Sequence, residues 1–215
     1  MAVAPDGSPV ELYLRLPPRG EAEIVDGVIE SGAEILELGC GVGRVTHELI
    51  RLGHPVVAVD ESPEMLEHVR GATTVCSPIE SLALGRRFPC VVLMSNLVNT
   101  TDSQRDAFLA TCARHVAADG VLFIERHEPD WRPKEGARSR LGDVEVSLED
   151  LSIERQHISG TVRYEVGDVS WRHVFRARLL DDAELNTMLA SAGLELVRTL
   201  DDAGRWVMAR LNLAA

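Results

Sequence analysis

Cationic side chains are scarce in this sequence. The 215 residues include 22 Lys and Arg against 34 Asp and Glu, a formal charge of −12. Proteins that bind nucleic acid or anionic membranes neutralise phosphates with clustered cations, so this balance argues against both partners. The longest basic run extends from Arg126 through Arg132, Lys134 and Arg138 to Arg140. It contains Pro and Gly and reads as a solvated loop. No apolar run is long enough to span a bilayer, and the N-terminus lacks the charged-then-apolar profile of an export signal. The four cysteines, at 40, 76, 90 and 112, form no Cys-x-x-Cys pair, and no histidine cluster has zinc spacing. The expectation is a cytoplasmic protein with no metal and with buried free thiols at Cys90 and Cys112. Internal repeats and low-complexity tracts are also missing. What remains, with 45% apolar residues, is enough for the core of a single domain spanning 1–215.

The most informative stretch is Glu34-Ile-Leu-Glu-Leu-Gly-Cys-Gly-Val-Gly-Arg-Val-Thr46. Ile35, Leu36 and Leu38 form a short apolar run that stops at Gly39, Gly41 and Gly43. Val42, Val45, Leu49 and Leu52 then recur at helical spacing. This is a buried strand, a tight glycine turn and a helix. Glycines let the backbone bend sharply and let a ligand approach it, and a helix start offers free N–H groups. Taken alone, the turn also fits a packing role. The spacing is G-x-G-x-G, not the G-x-G-x-x-G that seats a pyrophosphate. Glu37 in the strand end would repel a diphosphate and suit a ligand with an ammonium or sulfonium charge. S-adenosylmethionine has those features. A nucleotide or NAD(P) binder is the competing class.

Further along, Val56 to Val59 is a continuous apolar run, as expected for a parallel strand buried on both faces. It ends at Asp60, 21 residues after Gly39. An acid there is placed to hold a ribose diol. Ser62 and Pro63 open a helix bearing Met65 and Leu66. Third and fourth strands are expected at about 72–76 and 88–94, the latter giving way to Ser95-Asn96. Asp102 or Ser103 is expected to cap the next helix. Asp119-Gly120 reads as a turn before a fifth strand, 121–125, which ends in Arg126-His127-Glu128. Upstream, residues 1–9 read as loose, 10–16 as a short helix and 21–30 as a longer one, so that 1–31 form a helical cap. Strands alternating with helices call for an α/β fold with a parallel sheet covered on both faces. Glu37, Asp60, Ser77, Asn96 and His127 all fall at strand C-terminal ends, the rim where such sheets bind ligands.

The later part alternates with period two. Val144, Val146 and Leu148, then Val162, Tyr164 and Val166, then Val169, Trp171, His173 and Phe175 mark strands, and Gly167-Asp168 marks a tight hairpin. An antiparallel lid is expected over about 132–180. A helix capped by Asp181 or Asp182 and stopped at Gly193 follows. Two strands joined by Asp201 to Gly204 finish the chain, the last of them antiparallel.

On these motifs the sequence resembles the class I S-adenosylmethionine-dependent methyltransferases. Ile35 to Gly43 is similar to that family's first motif, and Val57 to Asp60 with Ser62 to Met65 to its second. The resemblance implies a Rossmann-like, doubly wound, seven-stranded sheet, mostly parallel with an antiparallel last strand. It implies methyl transfer to O or N of a small-molecule acceptor, with a homodimer among the assemblies it allows. Gly39, Cys40, Gly41 and Gly43 would line the methionine part of S-adenosylmethionine beside Glu37, and Asp60 would hold the ribose. Glu61, Ser62 and Met65 would border the adenosine, with Ser77, Ile79 and Glu80 at the adenine edge. Ser95 and Asn96 would lie under the sulfonium. Tyr13 and Arg19 would reach the methionine carboxylate from the N-terminal segment. Ser95-Asn96-Leu97-Val98 is not the Asn/Asp-Pro-Pro-Tyr/Phe motif of base and glutamine methylators. His127, then His173, are the candidate general bases, and Trp131, Tyr164 and Trp171 are candidate walls of an acceptor site. A fold of this family that binds the cofactor without transferring methyl, as a cyclase or regulator, is the alternative.

Overall fold

The computed structural model describes residues 2–214. Met1 and Ala215, the ends of the expected 1–215 domain, lie outside the described residues. In chain order the elements are α1 (Val10–Tyr13), α2 (Glu21–Asp26), β1 (Ile35–Leu38), α3 (Thr46–Arg51), β2 (Val56–Asp60), α4 (Pro63–Leu66), β3 (Thr73–Cys76) and β4 (Phe88–Leu93). They continue as α5 (Asp102–His115), β5 (Val116–Glu125), β6 (Arg138–Leu141), β7 (Val144–Glu154), β8 (His157–Val166), β9 (Val169–Arg178), α6 (Asp182–Ser191), β10 (Leu194–Thr199) and β11 (Trp206–Leu211).

Seven strands form one sheet in the order β10-β11-β5-β4-β1-β2-β3. β1 to β5 pair in parallel, and β11 runs antiparallel to both β5 and β10. The apolar runs are continuous because both faces are covered. Leu36, Leu38, Val57, Val91, Leu93 and Leu122 pack on the face shared with Phe108 of α5 and Leu185 of α6. Their alternates Ile35, Val56, Ala58, Cys90, Val92 and Phe123 pack on the face shared with Val25 of α2 and Leu49 of α3. Each such Val, Leu, Ile or Phe side chain contributes about 1.5–3 kcal/mol by leaving water. A charge at Val92, fully buried in the central strand β4, would lose that and add an unpaired ion.

β6 to β9 form a second, four-stranded antiparallel sheet. Gly167 and Asp168 link β8 and β9 in register from Val166↔Val169, with Gly167 at φ +56°. The sheet rests on the N-terminal segment, where Leu12 of α1 packs against Val144 and Trp171.

Several expectations need correction. Residues 2–9 are not loose: Val3 bridges Pro9, and the Ser8 hydroxyl donates to Asp6 at 2.8 Å and lies 3.2 Å from the Tyr13 hydroxyl. α2 stops at Asp26, not Glu30, because Gly27, a poor helix former, follows it. Thr101, not Asp102 or Ser103, is the N-cap of α5. Asp102 is instead drawn to Arg105 and Arg178, at 2.8 and 2.6 Å. β5 begins at Val116, and Asp119-Gly120 is an irregularity within the strand rather than a turn before it. A Cβ at Gly120 would stand 2.9 Å from the carbonyl oxygens of Phe88 and Pro89, so only glycine allows this approach. Arg126 does not belong to a solvated loop. It is fully buried, donates to the carbonyls of Gly204 and Leu180 at 2.7 and 3.0 Å, and pairs with Asp182.

Candidate cofactor and acceptor sites

The glycine turn is built by β2. The N–H groups of Gly39 and Cys40 both donate to the Val59 carbonyl, at 2.8 and 2.9 Å. The chain can turn this tightly because Gly39, Gly41 and Gly43 sit at φ +74°, +55° and +83°. A Cβ at Gly39 would stand 2.6 Å from Leu97 Cδ1, so the Leu97 side chain packs directly on the turn there, whereas a Cβ at Gly41 would meet nothing within 4 Å. Cys40 contributes only backbone here, since its buried thiol packs into the core with Val45 and Leu49.

Asp60 lies across from the turn. Its Oδ2 accepts the Gly41 N–H at 2.8 Å and its Oδ1 the Ser62 N–H at 2.9 Å. Burial pushes its pKa up while those two N–H groups pull it down. Each oxygen keeps a lone pair for a further donor. Ser62 is fully buried, and its hydroxyl caps α4 by accepting the Met65 N–H at 3.2 Å. Met65 packs beneath, with Ala4, Val10, Val42 and Tyr13. Glu61 and Glu80 are exposed, and Ile79 is buried. Ser77 donates its N–H to the Asp60 carbonyl at 3.0 Å and its hydroxyl to the carbonyl of Pro78 at 2.9 Å.

Glu37 is not an open carboxylate beside the turn. It is buried and accepts the Thr46 hydroxyl at 2.5 Å. Burial raises its pKa to about 7, with the Thr46 bond and the Arg44 charge opposing the shift. Arg44, which the motif reading passed over, reaches the Pro17 carbonyl at 3.2 Å and Glu21 at 2.5 Å. It thereby ties the turn to α2.

At the end of β4, Ser95 and Asn96 take φ of +57° and +58°, two successive non-glycine residues in the left-handed region. Such conformations cost of order 1–3 kcal/mol each and persist only where surroundings impose them. The imposing group is Glu125, buried at the end of β5, whose Oε2 accepts the Ser95 N–H at 2.8 Å. Its Oε1 accepts from Arg19 at 3.3 Å. Arg19 is therefore drawn to the β4 and β5 ends through Glu125. Glu125 carries no sequence signal beyond its position at a strand end, and Arg44 none beyond its place after the glycine turn.

A cleft of about 350 Å³ opens here, with Arg19, Asn96, Glu125, His127, Trp131 and Arg205 among its lining residues and Val146 and Leu148 of β7 in its roof. His127 stacks on Trp131, ring centroids 4.4 Å apart and planes 4° from parallel. Its backbone N–H donates to Asn99 Oδ1 at 2.8 Å, while Asn99 Nδ2 donates to the Arg178 carbonyl at 2.7 Å. Burial, reinforced by the Arg205 charge, lowers the His127 pKa to about 4, so the ring is neutral at pH 7. Phe175 lies 6.4 Å from Trp131. His173 is half-buried, on the same face of β9 as Trp171 and Phe175, but does not line the cleft. Tyr164, opposite Trp171 in the pairing of β8 and β9, has its pKa raised by burial and by the neighbouring Tyr13.

The seven-stranded order, the antiparallel β11 and the glycine turn facing an acid at the end of β2 define a class I methyltransferase fold. Residues 35–120 match the family model described as a methyltransferase domain. A ubiquinone biosynthesis O-methyltransferase from Bradyrhizobium is 30% identical over 110 residues, covering 47% of this chain and 43% of the relative. The chain thus spans less than half the length of that curated relative. Among solved structures, an S-adenosylmethionine-dependent methyltransferase from Clostridium acetobutylicum superposes with a TM-score of 0.75 at 14% identity, covering 93% of this chain and 94% of that one. A sugar N-methyltransferase from Streptoalloteichus gives 0.73 at 19% identity, covering 98% and 96%.

Proposed function

We propose that this protein is an S-adenosylmethionine-dependent methyltransferase that moves a methyl group to O or N of a small molecule by in-line displacement. The observation that carries the reading is the shared rim. The glycine turn and Asp60 lie at one end of it, and a roofed cleft over β4 and β5 lies at the other. The turn fits the cofactor, because the space beside Gly41 is open and Asp60 retains lone pairs for two ribose hydroxyls. Gly39, Gly41 and Asp60 would hold it, with Ser77 and Glu80 at the edge of β3. When bound, S-adenosylmethionine supplies an electrophilic methyl on a cationic sulfur.

The protein's part is alignment and exclusion of water. The roof formed by β6 and β7 shields the cleft. Glu125 fixes the backbone at Ser95 and Asn96 between the two ends of the rim. His127 is neutral at physiological pH, so it can accept a hydrogen bond from an acceptor hydroxyl or amine. Its low basicity suits orientation of that group more than storage of its proton. The charge of −12 supports a small acceptor over nucleic acid. No helix among the described residues is long and apolar enough to cross a membrane.

The test is titration calorimetry with S-adenosylhomocysteine and with NAD, followed by incubation of a panel of phenols, amines and amino sugars with methyl-labelled cofactor. Binding of the first ligand together with a labelled product supports the reading. Binding of NAD alone, or cofactor binding with no product from any acceptor, would overturn it.

A further inference from the structure

Five buried side-chain nitrogen or oxygen atoms have no hydrogen-bond partner among the described residues, and three of them are arginine Nε atoms, on Arg163, Arg178 and Arg205. The other two arginines are accounted for by their terminal nitrogens. Arg163 pairs with Glu165 at 2.8 Å, and Arg178 with Asp102 and Glu184 at 2.6 and 2.9 Å. Arg205 makes no ion pair and donates no side-chain hydrogen bond among the described residues. Its backbone is nonetheless firmly held, its carbonyl accepting the Arg126 N–H at 2.8 Å. A half-buried guanidinium with a dry, unpartnered Nε is costly unless something absent from the chain itself satisfies it.

Its location says what that partner is. Arg205 lines the cleft beside His127, close enough for its charge to depress that imidazole. It stands at the start of β11, over the end of β5, where Trp206 pairs with Glu125. The glycine turn and Asp60 lie over β1 and β2, with β4 between. Arg205 is thus on the acceptor side of the rim. The other charges facing the cleft are largely settled. Arg19 is engaged by Glu21 and Glu125, and Arg126 by Asp182. Arg138 on the roof and Glu128 remain, with opposite signs. The uncompensated charge in the cleft is therefore one positive unit, in a protein whose net charge is strongly negative.

We propose that the cleft recognises an acceptor bearing a carboxylate, with the Arg205 guanidinium as its fork-shaped counter-group and the His127–Trp131 stack as the flat wall beside it. A guanidinium presents two parallel N–H groups that match a carboxylate. Glu128 would oppose a doubly charged group such as a phosphate monoester. The inference rests on the methyltransferase reading and names the substrate class of that same cleft.

The probes are benzoate and its neutral isostere benzamide, titrated into the full chain with and without saturating S-adenosylhomocysteine. Benzoate is expected to bind at least tenfold more tightly than benzamide. Arg205→Met should erase that preference while leaving S-adenosylhomocysteine affinity unchanged. Should that variant not fold, the unaltered protein still decides. Benzoate affinity should fall as salt is raised from about 0.05 to about 0.5 M, and benzamide affinity should not, because screening acts on the charge alone. Equal binding of the two probes, failure of both to bind, or a benzoate preference that survives Arg205→Met would overturn the carboxylate subsite. Failure of S-adenosylhomocysteine to bind would instead strike the methyltransferase reading, and the two results are read from separate titrations.

Discussion

Asp60 accepts the N–H of Gly41 at 2.8 Å, so the carboxylate at the end of β2 also braces the glycine turn after β1. One side chain therefore sets the shape of the turn and offers its remaining lone pairs to a ligand. Asp60→Ala is expected to weaken S-adenosylhomocysteine binding by about 1–3 kcal/mol, the worth of lost charge-assisted hydrogen bonds. Calorimetric titration checks this, and an unchanged dissociation constant would remove Asp60 from the site.

Gly39→Ala places a methyl group 2.6 Å from Leu97 Cδ1 on a backbone at φ +74°. The left-handed backbone alone costs roughly 1–2 kcal/mol, and the clash adds to it. The melting temperature should drop. Adding Leu97→Ala should return only the part owed to the clash. Full recovery in the double variant would mean that the backbone carries no strain.

Burial raises the Glu37 pKa from 4.5 to about 7. A carboxyl whose pKa is raised on folding favours the folded state most at low pH. That contribution is complete below the unfolded value and is lost as pH climbs through about 7, by on the order of 3 kcal/mol at most. Denaturant unfolding at pH 5 and pH 8.5 should show the loss, and Glu37→Gln should flatten it. Affinity for a cationic ligand should move the opposite way, rising as Glu37 ionises.

Asn99 links the His127 backbone to the Arg178 carbonyl at the end of β9. Asn99→Ala should lower methyl-transfer kcat by tenfold or more and leave cofactor affinity intact, because the residue touches the His127 loop and not the glycine turn. Steady-state kinetics beside a cofactor titration separates the two. A loss confined to cofactor binding would place Asn99 elsewhere in the mechanism.

The sheet was readable because parallel strands buried on both faces leave continuous apolar runs, as at Val56–Val59 and Phe88–Met94. The rim was readable because polar residues interrupt those runs at their C-terminal ends. Nothing in the spacing of Glu37 reveals that the Thr46 hydroxyl covers its carboxylate. Arg126 was misjudged as solvated, since a basic residue among Pro and Gly looks the same whether or not a distant Leu180 and Asp182 enclose it. Glu125 and Asn99 act through partners about 30 to 80 residues away, and Arg205 reaches the cleft only because β11 pairs with β5. Such pairings exist only once the topology closes.

Arg19 and Ser95 share the two oxygens of Glu125. The first twenty residues are therefore electrically part of the sheet, although they contribute no strand to it. A protein shortened to begin after Gly20 would leave Glu125 buried without its cation. The successive left-handed residues Ser95 and Asn96 hang from that same carboxylate. Trimming the N-terminus should therefore be felt first at the far edge of the cofactor rim, as faster hydrogen exchange at Ser95, and only later as loss of the fold.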